Sequence, residues 1–446
     1  MLAAMSTTSP TTTSSSSSYR PGCRATAATL VAVGVLLTTV GCASDDDGIR
    51  ATEAVTAASV GPPPTPEAEP PIAETGPRSV EPPPPATTPA PDPAPSTQPM
   101  PTPPAEAADP ALLAPLEDIL AVHHAAGDFV GARLAVRDVD GTIVEATAGT
   151  PTLDPASGPV DPDVPWNIGS ATKTFVAVVV LQLAEEGRID LDGGIDAYFP
   201  HLPAADRITP RQLLNHTSGL GEYLDQPAVV TEPRRSWTPT ELIAVAEATG
   251  RVGEPGGPHH YANTNYIALG EIIERATGRP WIEEVHHRIA EPLGMTHTGL
   301  ITDRTAPGFR LVDGSLVDVT HGSDPSVGGA AGAMQSTNRD LLAFASALAD
   351  GTLLSPQSRA AMETFLPAED LSQFGIDHGY GLGLERYAMA DMTVIGHMGT
   401  GDIGSSYLGF DPTTGTTVAV TTNTANPGPA AIMAVEALTA LRRGSC

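Results

Sequence analysis

The chain has 446 residues, 45 prolines, three cysteines and a formal net charge of −29, from 23 Lys+Arg against 52 Asp+Glu. So acidic a chain, with no basic patch, has no long-range electrostatic reason to seek nucleic acid. Cys23, Cys42 and Cys446 all lie outside the interior of the globular stretch, which excludes a disulfide framework and a cysteine-based metal site there.

Composition changes along the chain. Residues 1–19 are mostly Ser and Thr, after which Arg20 and Arg24 precede an apolar run from Ala25 to Val40. Positive charge before a short apolar segment is the pattern of a secretory signal, too short for a spanning helix. The run ends Thr39-Val40-Gly41-Cys42, which resembles the bacterial lipobox, with Thr39 where Leu is commoner. That resemblance implies a signal peptide over 1–42 and diacylglycerol on Cys42. It places the mature protein on the extracytoplasmic face of the bacterial cell membrane, anchored through lipid. An uncleaved signal anchor, with Cys42 an ordinary thiol, is the alternative, and Met5 is a second candidate start. Residues 43–108 are rich in Pro, Ala, Thr and Glu and are predicted to be a disordered tether. Its proline runs favour polyproline II at about 3.1 Å per residue, a reach on the order of 100 Å.

Globular composition starts near Pro110 and marks one domain over 109–446. Leu134–Asp138 and Thr142–Ala148 flank Asp140-Gly141, a hairpin signal. A helix is predicted from about Ser170 to Glu186, closed by Gly187. Thr209-Pro210 and Thr238-Pro239 each open another. Apolar periodicity marks helices over 265–276 and 280–290, and Thr337 or Asn338 caps one over 339–349. Thr393–Ile395, Ser405–Phe410 and Thr416–Thr422 read as strands, and a helix of about 428–441 closes the chain. The predicted class is α/β of the α+β type. One antiparallel sheet is built from both chain ends and flanked by helices, with a mostly helical lobe beside it and a cleft between.

The candidate chemistry begins at Ser170-Ala171-Thr172-Lys173. Residues three apart share a helix face, so the Lys173 ammonium can stand beside the Ser170 hydroxyl. An alcohol is a poor nucleophile until a base takes its proton, and lysine does so only when burial lowers its pKa. Alone, S-x-x-K is weak, because a capping Ser with a surface Lys is the usual explanation. Two more elements accompany it: Tyr261-Ala262-Asn263 before a helix, and Gly396-His397-Met398-Gly399-Thr400-Gly401 at a strand end.

In this order, S-x-x-K, Y-x-N and H-x-G resemble the serine β-lactamase family, which includes class C β-lactamases, DD-carboxypeptidases and related esterases. The phrases Thr209-Pro210-Arg211-Gln212-Leu213-Leu214-Asn215-His216-Thr217-Ser218-Gly219-Leu220, Glu291-Pro292-Leu293-Gly294-Met295 and Tyr380-Gly381-Leu382-Gly383-Leu384 match too, so the likeness covers roughly Leu116 to Arg443. The resemblance implies that Ser170 forms an acyl-enzyme while Lys173 and Tyr261 share proton transfer. Asn263 would orient the substrate amide and Lys173. The backbone N–H groups of Ser170 and Thr400 would form the oxyanion hole, and Gly399 would let the strand edge approach the substrate. His397 stands where many relatives have Lys, facing the substrate carboxylate or the Tyr261 proton. His216 is read as structural. The histidine pairs at 123–124, 259–260 and 286–287 lack H-E-x-x-H and are read as surface or turn residues.

Neither metal nor cofactor is expected. The envelope location suggests a DD-carboxypeptidase or penicillin-binding peptidase acting on peptidoglycan peptides. Some such enzymes place an Arg after Tyr-Gly-x-Gly-Leu for the substrate carboxylate; here Glu385 stands there and Arg386 follows, facing the opposite side of a strand. That departure raises an esterase or a D-amino-acid amidase as alternatives, and a weak β-lactamase is a further one. A penicillin or wall-peptide sensor without turnover is the alternative of another class.

Overall fold

The computed structural model describes residues 109–302 and 306–444. The expected signal peptide, Cys42 and the tether lie outside the described residues. Among the described residues no helix is long and apolar enough to cross a membrane.

Helix α1 (Pro110–Ala126), which the sequence reading did not anticipate, opens on an Asp109 cap that accepts from Ala111 N at 2.9 Å and stops at left-handed Gly127. Strands β1 (Gly131–Arg137) and β2 (Ile143–Gly149) form the expected hairpin, paired from Gly131 with Gly149 to Arg137 with Ile143. Helices then dominate: α2 (Thr172–Glu185), α3 (Pro210–Leu214), α4 (Pro239–Thr249), α5 (Asn263–Thr277) and α6 (Asn338–Asp350). The Thr209 and Thr238 caps form capping boxes with Gln212 and Glu241, and Thr337 caps α6.

The chain returns to strand with β3 (Leu366–Pro367), β4 (Asp377–Tyr380), β5 (Glu385–Ala388), β6 (Thr393–Gly401), β7 (Gly404–Phe410) and β8 (Thr417–Thr422), then ends in α7 (Pro429–Gly444). All eight strands form one antiparallel sheet in the order β2-β1-β8-β7-β6-β5-β4-β3. The last strand therefore lies between the first hairpin and β7, joining the two chain ends as expected. Alternation along each strand feeds two cores. Leu134, Val136, Val418 and Val420 pack under α1 and α7. Ala135, Leu408 and Ala419 pack on the other face with α2 and α6, where Phe175 stacks on Phe344 at 3.8 Å. Three short strands, Gly299–Leu300, Trp166–Asn167 and Met334–Ser336, make a second sheet beside the nucleophile segment.

Arg133 ties that segment to the main sheet. Its side chain is fully buried, with Nε donating to Thr421 Oγ1 at 3.0 Å and Nη1 to the carbonyls of Pro162 and Val164 at 3.0 and 2.6 Å. The guanidinium lies 4.1 Å from the Trp166 ring, and burial pushes its pKa down to about 10 despite the nearby charge of Glu145. Removing one member of such a buried cluster strands the others. Arg133→Ala is expected to lower the unfolding free energy by about 3–5 kcal/mol in urea titration. A loss below about 1 kcal/mol, the worth of an exposed ion pair, would show that this strut does not hold the loop.

Candidate active site

Ser170 occupies a 3₁₀ turn, Gly169–Ala171, that runs into α2 at Thr172, so it precedes the α-helix rather than beginning it. In such a turn side chains three apart nearly eclipse, which sets Ser170 over Lys173. Helix α2 is buried on all sides from Thr172 to Leu181, so it holds Lys173 rigidly in an apolar setting. Lys173 Nζ lies 2.9 Å from Ser170 Oγ, 2.8 Å from Asn263 Oδ1 and 2.7 Å from the Ala331 carbonyl. Burial pulls its pKa down to about 7, opposed by the charges of Glu222 and Glu385.

Tyr261 and Asn263 enter from the start of α5. Nζ of Lys173 is 4.9 Å from the Tyr261 ring centroid. Burial pushes the Tyr261 phenol well above its ordinary range, the contact with Ser170 pulling the other way, so the group is a neutral phenol and not a phenolate. Asn263 turns its Oδ1 to Lys173, and its amide nitrogen is taken: Nδ2 and the backbone N–H both donate to Glu222 Oε2, at 3.0 and 2.7 Å. Glu222, which the sequence reading missed, thereby points Asn263 Oδ1 at the lysine. Its only sequence signal is an acidic residue two positions beyond the His216–Leu220 phrase.

Strand β6 forms the opposite wall. Its pairing with β5 stops at Gly396, beyond which Met398 N–H turns toward Glu385 Oε2 at 2.8 Å. Backbone donors alternate along a strand, so Thr400 N–H points to the same open edge, as an oxyanion donor must. Gly169, at φ +50°, brings the nucleophile turn against this strand: a Cβ on it would lie 2.8 Å from Thr400 N. Gly399 is also required for packing behind the strand. A Cβ there would lie 1.9 Å from the Ile168 carbonyl oxygen, so the glycine permits packing against the protein behind the strand. Ser406 Oγ donates to the same carbonyl at 2.7 Å.

His397 also departs from expectation. The residue is 1% exposed; its Nδ1 lies 2.6 Å from the Met398 carbonyl and its Nε2 2.8 Å from the Tyr380 hydroxyl. Both nitrogens are engaged, and neither is offered to a substrate carboxylate. Burial lowers its pKa, against the pull of Glu385. Arg386 faces away from Glu385 as strand alternation requires, pairing with Asp377 and lying 5.3 Å from the Phe365 ring centroid. Two of the histidine pairs need correction as well. His123 is buried between Asp128 and Glu436, and His259 is half-buried with its ring 5.2 Å from Tyr380. No three His, Cys, Asp or Glu side chains among the described residues are grouped to hold a metal.

The Beta-lactamase family model matches residues 116–441. Over 317 residues the chain is 28% identical to penicillin-binding protein 4 of Amycolatopsis lactamdurans, covering 66% of this chain and 80% of the relative. It is 31% identical over 209 residues to PbpX of Bacillus subtilis (strain 168), covering 46% of this chain and 51%, about half, of that protein's length. Among solved structures, a D-stereospecific amidohydrolase from Streptomyces sp. superposes with a TM-score of 0.64 at 31% identity, over 72% of this chain and 96% of that one. The D-amino acid amidase of Ochrobactrum anthropi SV3, complexed with L-phenylalanine amide, gives 0.68 at 29% identity, over 75% and 100%. Motif order, sheet topology and these likenesses agree: the chain belongs to the Beta-lactamase family and is a serine hydrolase of the penicillin-binding fold.

Proposed function

We propose that the protein hydrolyses amides and esters of acyl groups without a terminal carboxylate, D-amino-acid amides foremost, through an acyl-enzyme on Ser170. The observation that carries this reading is the seat of Lys173. Two of its three neighbours, Asn263 Oδ1 and the Ala331 carbonyl, can only accept, so a neutral amine spends both N–H bonds on them. Its lone pair is then left for the Ser170 proton, with the amine form available near neutral pH.

In the proposed sequence Ser170 Oγ bonds to the carbonyl carbon while its proton passes to Lys173. The neutral phenol of Tyr261 protonates the departing amine or alkoxide and is replenished from Lys173. Water repeats the attack in reverse roles and releases the acid. The N–H groups of Ser170 and Thr400 face the oxyanion.

The substrate choice rests on charge. Glu222 and Glu385 both act on Lys173, and Arg386 is committed to Asp377, which leaves the Glu385 side of the site without a cation for a carboxylate. The amidohydrolase and amidase likenesses support the same choice over the peptidase suggested by envelope location.

The full chain and its Ser170→Ala variant are incubated with a fluorescent penicillin, a D-amino-acid amide, a D-Ala-D-Ala peptide and p-nitrophenyl acetate, and intact masses and products are recorded. An adduct restricted to the wild type is expected, with the amide and ester turned over faster than the peptide. Preferred release of D-Ala would make the protein a carboxypeptidase, and a lasting penicillin adduct without turnover would make it a sensor. Folded protein with neither adduct nor turnover would end the hydrolase reading.

Because Lys173 acts as the amine, kcat/KM for the ester should rise with pH through about 7. Glu222 holds that pKa up, so Glu222→Gln should move the rising limb to lower pH, by roughly half a unit to one unit. Movement to higher pH would remove Glu222 from this role.

We also propose lipid attachment at Cys42. Cys42→Ala should abolish incorporation of labelled fatty acid and release the protein from the membrane fraction. Unchanged membrane retention would favour an uncleaved anchor.

A further inference from the structure

His216 is fully buried and adopts φ +58°, a left-handed conformation uncommon for a residue with a Cβ. Such strain persists only where the surroundings over-determine it. Here they do. The His216 carbonyl accepts from His260 N–H at 2.8 Å. Its Nδ1 accepts from Ala262 N–H at 3.2 Å and lies 2.9 Å from Asn265 Nδ2. The imidazole covers the Tyr261 ring, with centroids 4.3 Å apart and planes tilted 31°. One residue thus grips the Tyr261–Asn263 segment from before, within and behind.

The same ring reaches the third motif. His216 Nε2 lies 3.2 Å from the Tyr380 hydroxyl, which lies 2.8 Å from His397 Nε2. The proton positions along this chain follow from its ends, which are backbone groups that cannot exchange roles. Ala262 N–H can only donate, so His216 Nδ1 is bare and, in a neutral ring, Nε2 carries the proton. The Met398 carbonyl can only accept, so His397 carries its proton on Nδ1 and presents a bare Nε2. Tyr380 then accepts from His216 and donates to His397. Ser218 fixes the far end: it donates to Asn265 Oδ1 and accepts from Leu220 N–H, which turns Asn265 Nδ2 toward His216. Protonating His397 at Nε2 would set two donors on the Tyr380 oxygen and break the sequence.

We propose that His216 is a positioning residue that fixes Tyr261 and Asn263 and, through Tyr380, holds His397 as a neutral imidazole protonated at Nδ1. The charged and titratable groups around the two rings are Lys173 from α2, Glu385 on β5, His378 on β4, and His259 and His260 before α5, with the phenols of Tyr261 and Tyr266. Lys173 opposes protonation of both rings, and Glu385 favours it at His397. The hydroxyl of Tyr380 tips that balance by occupying the nitrogen that would take the proton. The result is that His397, neutral and with Nε2 occupied by Tyr380, does not compete with Lys173 for the Ser170 proton.

The test uses the full chain labelled with ¹⁵N-histidine, its signals assigned with His216→Asn and His397→Asn, and records ring-nitrogen shifts from pH 5.5 to 9. The two histidines should show opposite neutral tautomers, Nε2–H for His216 and Nδ1–H for His397, neither titrating. Tyr380→Phe should bring a His397 titration into this range and add a matching acidic limb to kcat/KM for p-nitrophenyl acetate. His216→Asn tolerates the left-handed backbone and keeps an acceptor for Ala262; it should lower kcat on the order of tenfold to a hundredfold with a smaller change in KM. An imidazolium or Nε2–H at His397 in the wild type would overturn the proposal. So would a Tyr380→Phe protein with unchanged tautomers and pH profile. The kinetic arm rests on the hydrolase reading, but the tautomers do not: their failure beside an intact Ser170 adduct would sink this inference alone.

Discussion

An amine removed from water and given two obligate acceptors and one serine hydroxyl sets the terms for everything around it. Burial of Lys173 drives its proton off, and two nearby carboxylates restore part of the affinity, leaving the group balanced near neutrality. That balance requires immobility. Helix α2 is buried on every face from Thr172 to Leu181, Thr174 Oγ1 ties it to the Gly383 carbonyl at 2.8 Å, and Gly383 is flush against Ala177, where a Cβ would come within 2.5 Å. Even the orientation of one amide matters: if Asn263 turned its nitrogen inward, Lys173 would face a donor, and Glu222 prevents this.

The second constraint is the closeness of the nucleophile turn to β6. Gly169, Gly399 and Gly401 each lie where a methyl group would enter a neighbouring backbone or the Asn167 side chain. The two proposed oxyanion donors belong to segments more than two hundred residues apart, 170 and 400 in the chain, yet their spacing is set by contact between main chains. Side-chain chemistry supplies the proton path, and main-chain packing supplies the electrostatic frame.

Much of this was legible in the sequence. The three motifs could be read because the chemistry demands particular residue types, and helices with Thr-Pro starts or left-handed glycine ends declared themselves. Strands β4 and β5 did not, since Asp377-His378-Gly379-Tyr380 and Glu385-Arg386-Tyr387-Ala388 contain no β-branched residue and are extended only through pairing. Strand β6 is legible only to Ile395, since three glycines fall within Gly396–Gly401; tertiary pairing with β7 carries it on. Helix α1 carries an Asp-Pro start and a Gly stop, Asp109-Pro110 and Gly127, that are legible in the sequence. The part played by His397 was beyond reach for another reason. Its partner Tyr380 and the next link, His216, are separated by 164 residues, and a hydrogen-bond direction is set by which backbone groups terminate it.

The position of β8 carries a consequence for how the chain comes to be folded. Among the described residues the first hairpin has one neighbour in the sheet, and that neighbour, β8, follows all the other strands in chain order. Until Thr417–Thr422 arrives, β1 presents an open edge with half its backbone groups unpaired, and the core beneath α1 lacks its roof of α7. Contacts of such long sequence separation are slow to form, and unpaired edges are what holding chaperones and self-association act upon. A chain cut short between Gly401 and Thr417 would possess every residue of the three motifs and still be unable to close its sheet. For this architecture, closure of the sheet by β8 and acquisition of an organised site are one event.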